Sequence, residues 1–145
     1  MAFLGTHTGD RNYYQTLFGK NVYLKGINII NFQVEKKKDD NFFFGIVPLT
    51  QGVVSRIFDT PSANGWWGFD VPIVNGRSLK TVGKKILQTD DIVKLTIDCT
   101  NKQIMFENYR TKTILQLDID ITVCPLPWRL AVSLSRPTDA LRILW

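Results

Sequence analysis

The sequence predicts an all-β fold in which short antiparallel strands pack as a sandwich or a barrel. In several segments apolar and polar residues alternate with a period of two, which is typical of strands with one buried face. Polar turn residues separate these segments at short intervals, and no stretch keeps a helical period over several turns. A chain of 145 residues, 44% hydrophobic and 21% charged, is long enough for one globular domain with one core.

The strand pattern appears in five segments. In chain order they are 30–35, 42–47, 93–99, 130–134 and 141–144. Segment 42–47 is apolar on both faces, which predicts a central strand covered on both sides. Segments 30–35, 93–99 and 130–134 alternate, so one face of each is expected to contact water.

The beginning of the chain has a weaker pattern than the rest. We expect a short helical turn at residues 12–17 and divide the chain into an N-terminal segment, 1–21, and one β-sandwich domain, 22–145. The turns should lie in the polar stretches between strands. Residues 37–41 are expected to form a hairpin tip. Residues 100–102 are expected to form the turn between Asp98 and Gln103, in which Asn101 is able to take a left-handed conformation.

Charge and composition limit the kinds of partner. The net charge of +5 comes from scattered lysines, whereas nucleic-acid binding usually concentrates basic residues in one patch. No apolar run is long enough to span a bilayer, and the start of the chain lacks the pattern of a secretory signal. Two cysteines are too few for a disulfide framework. We expect no nucleic-acid or membrane partner and a cytoplasmic or nuclear location.

Candidate catalytic and metal-binding groups are few. His7, the one histidine of the chain, lies in the weakly patterned segment, which is a poor setting for a catalytic base. One histidine and two distant cysteines cannot complete a zinc site, so we expect no metal and no cofactor. Asp90 and Asp91 are expected to be solvated turn residues, and Asp118 and Asp120 to share one strand face. We therefore expect that the chain is not an enzyme.

The aromatic segment 65–69, Gly-Trp-Trp-Gly-Phe, is the most informative stretch. In an extended strand, neighbouring residues face opposite sides of the sheet. One tryptophan can therefore lie in the core while the other faces outward or lines a rim, and the strand phase alone leaves open which is which. The alternative is that both tryptophans help close the core. We slightly favour Trp67 and Phe69 as the outward pair. Trp128, at the start of a predicted strand, is expected in the core.

The order of these motifs resembles that of the SPRY family, called B30.2 when a longer N-terminal extension is present. The segments that carry the resemblance are 43–47, 65–70, 90–98, 103–108, 126–134 and 141–144. The resemblance covers residues 22–145. Asp90 and Lys102 stand where the family usually has glycine, and Tyr109 follows Asn108 where the family has glycine. These departures affect turns, so after Asn108 we expect a longer loop in place of a tight turn.

The resemblance implies a twisted antiparallel two-sheet β-sandwich of the concanavalin-like type. It also implies a non-catalytic module that binds a protein or peptide through loops at one end, as the substrate-recruiting part of a ubiquitin ligase or as an adaptor. An isolated domain of this kind is expected to be a monomer.

Aromatic residues and arginines in the loops are the candidate partner contacts, because these types dominate binding energy at interfaces. The candidates are Arg56, Phe58, Trp67, Phe69, Tyr109, Arg110 and Arg136. The alternative function is a lectin-like carbohydrate-binding domain, in which surface aromatics stack on sugars. A glycoside hydrolase that uses Asp118 and Asp120 is the least favoured reading.

Overall fold

The chain folds into β-strands with very little helix. The computed structural model describes residues 2–6, 15–36, 42–52, 54, 56–67, 71–79, 88–134 and 140–144. The strands are β1 (Ala2–Thr6), β2 (Gln15–Tyr23), β3 (Ile27–Lys36), β4 (Phe42–Pro48), β5 (Asn64–Trp67), β6 (Val71–Val74), β7 (Arg77–Ser78), β8 (Ile92–Asp98), β9 (Gln103–Asn108), β10 (Thr113–Asp118), β11 (Trp128–Leu134) and β12 (Ala140–Leu144). One turn of 3-10 helix, Ile57–Asp59, precedes β5. No helix in these residues is long and apolar enough to cross a membrane.

The strands form two six-stranded sheets. Sheet A has the order β1-β12-β3-β8-β9-β10, and sheet B has the order β2-β11-β4-β5-β6-β7. Every paired strand is antiparallel to its neighbour. The predicted antiparallel sandwich is confirmed, and each of the five segments with a strand pattern contains a strand.

The core lies between the two sheets and is rich in aromatic rings. Phe44 of β4 lies 5.7 Å from the ring of Trp66 and 5.1 Å from that of Phe106, which belongs to the opposite sheet. Trp128 is fully buried, as expected, and its indole N–H donates to the carbonyl oxygen of Cys124 at 2.9 Å. Burying each such side chain stabilises the fold by about 1.5–3 kcal/mol.

Sheet B is buried on both faces near its centre. A second apolar cluster covers the face turned away from sheet A; its buried members are Phe43, Val47, Ile57, Phe58, Ala63, Ile73 and Ala131. Two of these residues come from the 3-10 turn, so the chain between β4 and β5 folds back over the sheet. The prediction that segment 130–134 has one wet face is therefore wrong, since Ala131 and Ser133 are buried as well. The two covered faces expected for segment 42–47 are confirmed.

Two local expectations at the N-terminal side are wrong. Residues 15–17 belong to β2 and not to a helical turn; the remainder of segment 12–17 lies outside the described residues. Residues 37–41 also lie outside the described residues. The strands on either side, β3 and β4, belong to sheets A and B, so they do not pair as the expected hairpin. The segment expected to precede the sandwich contributes β1 to sheet A and most of β2 to sheet B.

Left-handed residues mark five turns of the described chain. Asp90 and Lys102, which stand where the resembled family usually has glycine, have φ angles of 74° and 54°. These two turns therefore keep a left-handed backbone conformation although a residue other than glycine occupies each position. In this turn Lys102 and not Asn101 is the left-handed residue. The Asn101 N–H and side-chain amide both donate to the Asp98 carboxylate, each at 2.9 Å. The longer loop after Asn108 is confirmed, because β10 begins only at Thr113.

A close approach of two backbones occurs at the centre of sheet B. Gly45 of β4 lies directly opposite Gly65 of β5. A Cβ added to Gly65 would lie 2.6 Å from the Cα of Gly45, nearer than a real Cβ tolerates. The first glycine of the aromatic segment is therefore required by the sheet itself.

We expect Gly65→Ala to destabilise the protein by about 3 kcal/mol or more, because the added methyl group collides with backbone that cannot move aside. Thermal and urea unfolding measure the change. Gly52→Ala is the matched control, since a Cβ at Gly52 meets no atom within 4 Å. Equal stability of the two variants would contradict the proposed close approach.

Candidate functional site

The structure divides the predicted contact residues into two groups. One group lies on the outer face of sheet B and comprises Arg56, Phe58 and Trp67. The other lies in the turn between β9 and β10 of sheet A and comprises Tyr109 and Arg110. The remaining two candidates, Phe69 and Arg136, lie outside the described residues.

The phase of β5 places its two tryptophans on opposite faces. Trp66 is fully buried between the sheets. Trp67 is half-buried and packs against the second cluster on the outer face. The preference for Trp67 as the outward tryptophan agrees with this placement, whereas its expected companion Phe69 lies outside the described residues.

On the outer face, three predicted residues are stacked on one another. The ring centre of Phe58 lies 4.5 Å from that of Trp67, and the guanidinium carbon of Arg56 lies 5.0 Å from the Phe58 ring centre, within cation–π range. Arg56 also pairs with Asp59 at 2.6 Å. Phe58 itself is only 5% exposed, so it supports the stack from below while Trp67 and Arg56 reach the surface.

A groove runs beside this stack. It has a volume of about 270 Å³ and is lined by Arg56, Phe58, Asp59, Trp67, Ile73, Gly76 and Ser78. A larger hollow of about 670 Å³ adjoins it, since Asp59 and Gly76 line both. Gly76 has a φ of 77°, and a Cβ there would collide with the carbonyl oxygen of Thr60. Because residue 76 is glycine, the turn between β6 and β7 can lie against the loop that contains Thr60. This contact lies where the two hollows meet.

The β9–β10 turn is held by a buried carboxylate. Arg110 binds Asp91 with two hydrogen bonds, from Nε to Oδ1 at 2.7 Å and from Nη2 to Oδ2 at 3.1 Å. Asn108 donates from Nδ2 to Asp91 at 3.1 Å and accepts the Arg110 backbone N–H at 2.9 Å. Tyr109 is 46% exposed, and its hydroxyl donates to Asn31 at 3.2 Å. Tyr109 is therefore a partly exposed side chain in a turn whose backbone is fixed by hydrogen bonds.

The expectation for Asp91 is wrong. This residue is 5% exposed and not a solvated turn residue. Burial alone raises the pKa of its carboxyl, but hydrogen bonds from Arg110, Gln88 and Asn108, together with the Arg110 charge, outweigh burial and leave the pKa below its usual value. The adjacent acid Asp90 is exposed, as expected. One sequence feature distinguishes Asp91 from Asp90: Asp91 stands at the Asp of the Gly-Asp motif of the resembled family, whereas Asp90 stands at its Gly.

Groups able to perform chemistry are not gathered in the described part of the chain. Asp118 ends β10, whereas Asp120 lies beyond it and accepts hydrogen bonds from the backbone N–H and hydroxyl of Thr122. The expectation that these two acids share a strand face is therefore wrong. Burial raises the pKa of Cys124 to about 12, despite an opposing hydrogen bond from Asn64. Among the described residues no group of three or more candidate ligands is placed to hold a metal ion. His7 lies outside those residues.

We expect Asp91→Asn to reduce the free energy of unfolding at neutral pH by about 2 kcal/mol, because hydrogen bonds to a charged acceptor are lost. The folded-state pKa of Asp91 is depressed, so its contribution is complete above the unfolded-state pKa of about 4 and is lost as the pH falls below it. Urea unfolding of wild type and variant should therefore converge at acidic pH. Asp90→Asn is the control for charge removal. A difference between wild type and Asp91→Asn that stays constant with pH would contradict the assignment.

Comparison with known proteins supports the fold through structure and not through sequence. No protein-family model and no curated protein matches this sequence. Among solved structures, the SPRY domain of human HERC1 is similar with a TM-score of 0.72 and 12% identity, over 92% of this chain and 83% of that one. The TRIM65 PSpry domain is similar with a TM-score of 0.68 and 12% identity, over 90% of this chain and 70% of that one. The chain is therefore, in its fold, a SPRY-like domain.

Proposed function

We propose that this chain is a non-catalytic recognition module that binds a protein or peptide at the groove beside Trp67. The observation that carries the proposal is the stack of Arg56, Phe58 and Trp67 at the rim of that groove. Tryptophan and arginine are the side chains most often found to dominate binding energy at protein interfaces. Here both are held in place before any ligand arrives, which lowers the entropy cost of binding.

The size and lining of the groove support a peptide ligand. A volume of about 270 Å³ is below the range of about 300–1,000 Å³ usual for compact small molecules. It suits one or two side chains of a peptide whose backbone continues into the adjoining hollow. Ile73 offers an apolar floor, while Arg56, Asp59 and Ser78 offer polar atoms at the rim. The ligand we propose is therefore an extended segment with an apolar anchor residue.

The placement of the reactive groups supports a role without catalysis. A nucleophilic cysteine needs a thiolate, and burial raises the pKa of both Cys99 and Cys124. The Asp120 carboxylate is engaged by Thr122 in its own turn, and the Asp91 carboxylate is paired with Arg110. These groups serve the fold in the arrangement described.

Further features of the proposal rest on the resemblance to SPRY domains. As a SPRY-like (B30.2-type) module, the chain would recruit a substrate to a ubiquitin ligase or act as an adaptor in the cytoplasm or nucleus. The turn with Tyr109 and Arg110, together with Phe69 and Arg136, would widen the contact surface. We propose that the module binds one partner as a monomer when dilute.

The direct test is selection of ligands from a phage-displayed random peptide library on the wild-type protein, followed by affinity measurement with synthetic peptides. We expect Trp67→Ala and Arg56→Ala each to weaken binding of the selected peptides by about 30-fold, the effect of losing an interface hot spot. Tyr109→Ala should weaken those peptides that extend to the second group. Circular dichroism confirms folding of each variant.

Lys20→Ala, an exposed change on β2, is the matched control and should bind like wild type. Unchanged affinity in both Trp67→Ala and Tyr109→Ala would reject these sites. Binding on a glycan array, with no peptide selected, would favour the lectin-like alternative over the proposal.

A further inference from the structure

One edge of the sandwich lacks the usual protection against pairing with another strand. The two sheets end in β1, β10, β2 and β7. Strand β7 has only two residues, and the pairings of β1 and β2 with their neighbours contain register shifts. Short length and irregular register both hinder strand addition at an edge. Strand β10 has six residues in continuous register with β9 and contains neither lysine nor proline.

The backbone of β10 points hydrogen-bonding groups outward from the sheet. Ile119, just after β10, donates its N–H to the carbonyl oxygen of Lys102 at 2.8 Å and continues the register of the β9–β10 pair. Bonded and non-bonded residue pairs alternate along an antiparallel ladder, so the odd-numbered residues of β10 bond to β9. The even-numbered residues direct their N–H and C=O groups to the open edge: Ile114, Gln116 and Asp118. In the described chain no strand pairs with that edge.

We propose that β10 pairs antiparallel with β10 of a second copy of this chain, about a twofold axis through Leu115, to form a weak homodimer. In this arrangement Ile114 lies opposite Gln116 of the second copy, and both residues belong to the set that faces the open edge. Leu115 meets its own equivalent on the core side. The two copies of sheet A then become one continuous sheet, and both open edges are satisfied at once.

Charge selects this register. Lys112 and Asp118 are both exposed, and with the axis at Leu115 each lies opposite the other in the second copy. The symmetry repeats this pairing, so one ion pair forms at each end of the joint. Moving the axis to residue 116 sets Ile114 opposite Asp118, and moving it to residue 114 sets Lys112 opposite Gln116. Only the register at Leu115 combines opposite charges with an uncharged centre.

The exposed apolar surface favours the same joint. Ile114 is 61% exposed, and Leu115 is only partly buried where it packs against the core. Strand pairing removes part of both side chains from water. The joint spans only residues 112–118, which are β10 and the residue before it, and the net charge of +5 opposes association. The interface therefore falls in the small class below about 1,200 Å² that gives transient complexes. The dimer is therefore expected at high concentration, which is compatible with a monomer when dilute.

Sedimentation equilibrium over a wide range of protein concentration tests the dimer, and amide hydrogen exchange tests its location. As concentration rises, exchange of the Ile114, Gln116 and Asp118 amides should slow. The Leu115 and Leu117 amides already bond to β9 and should change little. This alternation distinguishes edge pairing from any contact through a sheet face.

Charge exchange tests the register. Lys112→Glu or Asp118→Lys alone places like charges opposite each other at both ends and should weaken dimerisation by about tenfold. The double variant restores opposite charges and should restore the dimer, as should mixing the two single variants. Lys112 has a φ of 57°. Lys and Glu both carry a Cβ, so Lys112→Glu does not change the steric cost of this left-handed conformation. Lys25→Glu, an exposed change outside β10, is the control for Lys112→Glu, because it changes the net charge by the same amount.

Gln116→Pro provides a variant that does not depend on charge. It removes one outward N–H without removing a bond to β9 and should abolish the dimer while the fold survives. A wild-type protein that stays monomeric throughout the concentration range would overturn the proposal. So would a dimer that persists in Gln116→Pro or is indifferent to the charge exchange. Because the peptide groove lies on the outer face of sheet B, peptides that bind there without extending to Tyr109 should bind all these variants like wild type. Failure of the dimer is therefore separable from failure of the proposed recognition function.

Discussion

The packing of Trp66 against Phe44 and Phe106 is the contact on which the rest of the arrangement depends. It joins the two sheets through their largest side chains. Since side chains alternate along a strand, fixing Trp66 inside also fixes Trp67 outside. The glycine pair, Gly45 with Gly65, then allows β4 and β5 to lie close enough for this contact to form. The position of the half-buried Trp67 on the outer face is thus a consequence of the core.

The outer face of sheet B shows how a second, smaller cluster produces a surface site. The 3-10 turn Ile57–Asp59 lays Ile57 and Phe58 over the sheet and removes them from water. Phe58 of this turn packs against Trp67, and both residues line the groove. A site formed at the margin of a packed cover combines an apolar floor with polar atoms at the rim, and the packing beneath holds the ring of Trp67 in a fixed orientation.

Sheet A is organised around a buried charge instead of a second apolar layer. Asp91 joins the start of β8 to the β9–β10 turn through Arg110 and Asn108. Such a carboxylate is tolerable in a protein interior only because several donors surround it. The same turn leads directly into β10, whose regular backbone leaves its outer edge unpaired within the described chain.

The sequence by itself predicted five of the segments that contain strands, because the alternation of side chains is a local property of the extended backbone. It did not predict β1, and it assigned a helical turn to residues at the start of β2. It also predicted that one residue of the pair Trp66 and Trp67 lies inside, and that the turn after Asn108 is long. Only the tertiary structure decided which tryptophan is buried, that Ala131 and Ser133 are covered, and that β3 and β4 belong to different sheets. It also decided that Asp91 is buried and that Asp120 lies outside the strand of Asp118. These outcomes depend on segments distant in the chain, such as the loop over sheet B and the guanidinium of Arg110, and the pattern of neighbouring residues carries no record of them.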